Sequence, residues 1–91
     1  MKKKVNVRRE AQTILQAAAA AIKRGLVRQH EVGRGYHLGD LVKKVSELTK
    51  KSVSGRELIK AMRVWFRQNI ARFNNRYVHV DVAQVGKFAG T

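Results

Sequence analysis

At 91 residues the chain has room for one modest hydrophobic core and not for two. Twenty Lys and Arg against six Asp and Glu give a formal charge of +14, an excess that repels itself in the folded state and calls for an anionic partner. The absence of cysteine excludes a disulfide framework and a zinc ribbon and agrees with a cytoplasmic protein, while 44% hydrophobic residues exclude a disordered basic tail.

Residues 1–9 form a basic N-terminal arm, and the chain reads as a single nucleic-acid-binding domain over 1–91. The start imitates a signal peptide, with basic residues before an alanine run, but Glu10, Gln12 and Gln16 interrupt the apolar stretch and argue against secretion. From about Glu10 to Arg24 strong helix formers predict a first helix, with Ile14, Ala18 and Ile22 four apart on one face. Lys23 and Arg24 suit its negative end, and Gly25 can close it in the left-handed conformation. That Ala-rich face either packs within the chain or receives a second copy or a partner protein. Residues 28–36, with Gly33 and Gly35, read as a loop in which Arg34 is placed to meet a phosphate.

Leu38, Leu41, Val42, Val45 and Leu48 recur at three and four residues and predict a second helix over Leu38 to Thr49. Asp40 with Lys44 and Lys43 with Glu47 stand four apart with the acid or base of one turn over its opposite in the next, an ordinary surface arrangement. Ser54 and Glu57 then form a capping box, with Val53 and Leu58 as its hydrophobic staple. The third helix is expected to run from there to about Asn74.

Advancing about 100° per residue along that helix, Arg56, Lys60, Arg63 and Arg67 share one stripe. Leu58, Ile59, Met62, Trp65, Phe66, Ile70 and Phe73 fill the arc expected to face the core. Like charges four apart repel by about 0.2–0.5 kcal/mol, so a stripe of cations almost without acids is a poor choice for a merely wet surface and a good one for phosphate. Lys44 and Arg76 extend the expected binding surface. Trp65, at the edge of the arc, is a candidate for stacking on a base, though the same spacing suits a core residue.

Tyr77 to Val82 alternates, with Val78, Val80 and Val82 on one face, and predicts a strand. A hairpin is expected if Val85 to Phe88 pairs back onto it. The fold class is therefore α+β: three main helices followed by a short β-hairpin or a single strand. His30, His37 and His79 do not stand at metal-ligand spacings, and neither a nucleophile elbow nor a phosphate-binding glycine loop is present. The reading is a non-enzymatic protein with no cofactor and no metal, whose partner is nucleic acid and not a membrane.

"GDLVKKVSELTKKSVSGRELIKAMRVWF" fits the two helices of a helix-turn-helix DNA binder, except that recognition helices are usually shorter than the one expected here. Val53-Ser54 opening a long helix, and "VGKF" after a strand, resemble the start of the HU family. That family continues into DNA-clasping arms and a last helix, whereas this sequence stops at Thr91.

Over roughly 34–88 the chain more closely resembles the FinO/ProQ-type RNA-chaperone domain. "GDLVKKVSEL" is similar to its Asp-Leu-Val helix, "VSGRELIKAMRVWF" to its Leu-Ser helix start with Ala-Leu-Arg and an aromatic, and "VHVDV" to its Arg-Val-Asp-Leu strand. The resemblance implies binding at the foot of an RNA hairpin and its 3′ tail. Arg63 and Trp65 match the family's Arg and aromatic, and Asp81 its strand acid. His37-Leu38-Gly39 stands where the family has a basic Lys-x-Gly step, Ile70 where it has a helical Arg, and the hairpin's Asp-Gly turn is missing. RNA is thus expected before duplex DNA, and an acidic protein partner is the remaining alternative.

Overall fold

Strong helix formers carry the first helix, α1, over Lys3–Lys23 in the computed structural model, which describes residues 3–29 and 35–89. The helix takes in most of the expected basic arm. Its end is closed as the sequence suggests: Gly25 has φ +67°, its N–H donates to Ile22 O, and the Leu26 N–H reaches back to Ala21 O at 2.8 Å. These are the paired bonds of a left-handed glycine cap.

After α1 come β1 (Tyr36–His37), α2 (Leu38–Thr49), α3 (Gly55–Ala61), α4 (Arg63–Arg67), β2 (Ala71–Asn74), β3 (Tyr77–Val80) and α5 (Val82–Ala89). The domain is α+β, as expected, with helices around a three-stranded antiparallel sheet of order β1-β3-β2. Helix α2 has the predicted bounds. The imidazole of His37 accepts the Gly39 N–H at 3.1 Å at its start, and Lys50 closes its end at φ +58°. The capping box also forms: Glu57 N–H donates to Ser54 Oγ at 3.1 Å and Ser54 N–H to Glu57 Oε1 at 2.9 Å.

Beyond Ala61 the fold departs from the expected long helix. Met62 (φ −81°, ψ 0°) interrupts it, with Trp65 N–H donating three residues back to Met62 O. Asn69 then ends α4 at φ +59°, its N–H on Phe66 O and the Ile70 N–H on Trp65 O at 2.9 Å. Asparagine tolerates this left-handed conformation, so it stops a helix almost as glycine does. Residues 71–74 are consequently a strand. They pair with β3 in the register Ala71↔Val80 to Asn74↔Tyr77, leaving Asn75 and Arg76 as a two-residue turn with φ +49° and +71°. Positive φ at both central residues matches the right-handed twist of a tight hairpin.

The expected pairing of Val85–Phe88 with the strand is therefore overturned. A partner is already supplied by β2, and Asp81 starts α5, its Oδ1 accepting Gln84 N–H and its carbonyl Val85 N–H. The strand ends at Val80, and Val82 lies on α5, 40% exposed. The segment read as a loop ends in β1, which adds a third strand. Gly35 is needed there, because a Cβ would come within 2.9 Å of the His79 ring and 3.1 Å of Tyr77 Cβ.

The core joins Ile14, Ala18 and Ile22 of α1 to Leu41, Leu58, Trp65, Val78 and Val85. Ala18, Ala19 and Ala21 have no exposed surface, and α5 packs along α1. Of the two uses open to the Ala-rich face, packing within the chain is the one found: its small side chains are buried by the chain's own helices.

Candidate nucleic-acid interface

Despite the break at Met62, Arg56, Lys60, Arg63 and Arg67 remain neighbours, because steps of three and four residues return to the same side of a helix. All four are exposed. Among the described residues none of them makes an ion pair; the pairs formed are Lys44 with Glu47 at 2.8 Å and Lys51 with Glu10 at 3.2 Å. The nearest acid in sequence, Glu57, is occupied by its cap. Hydrogen bonds from the Ser54 backbone, then from its side chain, hold the Glu57 carboxyl below the ordinary glutamate range. It stays charged at neutral pH but is directed at Ser54.

The cations form a ridge between two open grooves. One, of about 580 Å³, is lined by Leu38, Gly55, Arg56, Ile59, Lys60, Arg63 and Phe73. The other, of about 630 Å³, lies against α1 and is lined by Ala11, Gln12, Leu15, Gln16, Lys60, Ala61, Arg63, Val64 and Arg67. Lys60 and Arg63 wall both.

Phe73 is the residue the sequence reading misplaced. Assigned to the buried arc of a long helix, it stands on β2, 44% exposed beside three cations. The signal was Asn69 together with the "NNR" turn, which mark 71–74 as one arm of a hairpin. Trp65 is the reverse case. With no exposed surface it belongs to the core and offers no face to a base.

The other expected residues divide. Arg76 is exposed at the hairpin tip, and its carbonyl accepts the N–H of Leu38, which walls the Phe73 groove, at 2.8 Å. Lys44 instead binds Glu47 in a separate recess with Leu26, Arg28 and Asp40, so it does not extend the ridge, nor does it pair with Asp40. Arg34 lies outside the described residues. Asp81 caps α5. Among the described residues no group of His, Asp and Glu is assembled to hold a metal, and no helix is long and apolar enough to cross a membrane.

The fold and the ridge define a small basic α+β domain whose four ridge cations make no ion pair among the described residues. No protein-family model, curated protein or solved structure matches the chain.

Proposed function

We propose that the chain is a non-enzymatic, cytoplasmic nucleic-acid-binding protein that grips a structured RNA, a hairpin with an unpaired 3′ tail, through Arg56, Lys60, Arg63 and Arg67. The observation that carries the reading is the ridge itself: four exposed cations, with no ion pair among the described residues, beside an exposed aromatic. Cations hold phosphates of any sequence, and a planar apolar side chain next to them stacks on an unpaired base. A-form RNA hides its major groove, so a convex cationic surface meets its phosphates and 2′-hydroxyls while unpaired ends supply specificity. The resemblance of 34–88 to the FinO/ProQ-type domain supports the same target.

One observation favours duplex DNA as a second reading. Helix α3 has 7 residues, which removes the objection that a helix-turn-helix recognition helix would be too long here. Competition decides: a labelled RNA hairpin with a U-rich 3′ tail is challenged with duplex DNA of equal phosphate count at near-physiological salt. Preference for the hairpin is expected, and equal or better binding by the duplex removes the RNA reading. Unchanged retention of both nucleic acids by Arg63→Glu/Arg67→Glu moves the function to an acidic protein partner.

A further inference from the structure

The groove along α1 has a chemistry that the ridge alone does not explain. Its floor is apolar, from Leu15, Ala61 and Val64, and one wall is cationic. The opposite wall carries Gln12 and Gln16, exposed and four residues apart, which places both side chains on one face of α1 with Cβ atoms about 5–6 Å apart. Among the described residues neither amide is engaged in a hydrogen bond to the protein. Lysine and arginine only donate, and a phosphate accepts from either without regard to the base attached. A carboxamide both donates and accepts, and it pairs side by side with the adjacent donor and acceptor on a base edge.

We infer that Gln12 and Gln16 are specificity-determining residues, reading the edges of unpaired bases whose phosphates are held by Lys60, Arg63 and Arg67 across the groove. The inference rests on the ridge binding nucleic acid and adds a division of labour: one wall holds the backbone, the other selects the base. Lys60 and Arg63 wall both grooves, so a strand held by them has its bases within reach of either side. Stacking on Phe73 accepts any base, whereas amide pairing does not.

The experiment measures the affinity of one RNA hairpin carrying a 3′ tail of four A, four C or four U, for the wild type, for Gln12→Ala/Gln16→Ala, and for Arg63→Glu/Arg67→Glu. Alanine is the best helix former and both sites are exposed, so the first variant keeps its fold, checked by circular dichroism and thermal melting. The wild type is expected to separate best from worst tail by about tenfold or more. The glutamine variant should compress that spread to below about threefold, with the salt dependence unchanged. A wild type that binds the three tails alike, or a glutamine variant that keeps the larger part of the spread, overturns the assignment. If the charge-reversed variant binds every tail as the wild type does, the ridge reading fails instead, and the two failures are distinguished.

Discussion

Phe73 stands opposite Val78 across the β2–β3 ladder, yet Val78 has no exposed surface while Phe73 is 44% exposed. Paired residues share one side of a sheet. The difference arises because that side runs from beneath the helices at Val78 out to the groove beside Arg56 and Arg63. An apolar ring left there at the rim has a use when an unpaired base covers it.

Removing that ring should therefore weaken binding without unfolding the protein. Phe73→Ala is expected to lower affinity for a hairpin with an unpaired tail by roughly 5- to 150-fold, since one base–aromatic stack contributes about 1–3 kcal/mol. Affinity for a blunt duplex of equal charge should change less than about threefold. Fluorescence anisotropy with both probes tests this, and an equal loss on both would assign Phe73 to stability alone.

Trp65 offers the opposite control. It is the protein's single tryptophan and it is fully buried, so its emission should be blue-shifted and stay unchanged through a titration with RNA. Strong quenching at saturation would mean that bases reach it. Trp65→Ala should cost about 3–5 kcal/mol and unfold much of the population, because it empties the largest buried side chain of a small core.

Salt dependence separates ridge residues from bystanders. Each of Arg56→Ala, Lys60→Ala, Arg63→Ala and Arg67→Ala should flatten the slope of log affinity against log salt by about 0.7–0.9. Lys44→Ala should leave it unchanged, because Lys44 is held by Glu47 in another recess. A flatter slope for Lys44→Ala would extend the interface onto α2.

Lys50 ends α2 in a left-handed conformation that costs a side-chain-bearing residue about 1–2 kcal/mol relative to glycine. Lys50→Gly recovers part of this against the greater freedom of glycine in the unfolded chain, for a net gain of roughly 0.5–1 kcal/mol. Thermal melting should show a midpoint higher by about 4 °C.

The capping box of α3 makes stability depend on pH. The Glu57 carboxyl is held below its ordinary range in the folded protein by the Ser54 backbone hydrogen bond. Its contribution is therefore present above the unfolded carboxylate range and is lost as the pH falls through the lowered folded value. The gap in melting temperature between wild type and Glu57→Ala should be widest near neutrality and close as the pH falls below the ordinary glutamate range. Ser54→Ala should cost about 1 kcal/mol at neutral pH.

What could be read in advance were the features that depend on residues close in sequence. The bounds of α2 followed from apolar residues at three and four, the start of α3 from Ser54 and Glu57, and the end of α1 from Gly25. The cationic stripe was legible for the same reason, since a spacing of three and four survives the jog at Met62. The extent of helix after Ala61 was not. Residues 62–74 hold neither Gly nor Pro and keep the apolar spacing of three and four, and before the "NNR" turn only Asn69 signals a stop.

By itself the sequence determined a small α+β protein with far more positive than negative charge and a ridge of Arg56, Lys60, Arg63 and Arg67 on one helical face. Those properties follow from composition and local periodicity. Only the tertiary structure decided that 71–74 turn back as a strand, that Trp65 sinks into the core while Phe73 rises beside the ridge, and that Gln12 and Gln16 face Arg63 and Arg67. Burial depends on partners distant in the chain, and the strand at 71–74 on the sheet that β1 and β3 complete. One side of the 71–74 backbone pairs with β3 while its other side is the edge of the sheet, and α1 is held across the ridge by a core to which every described helix contributes.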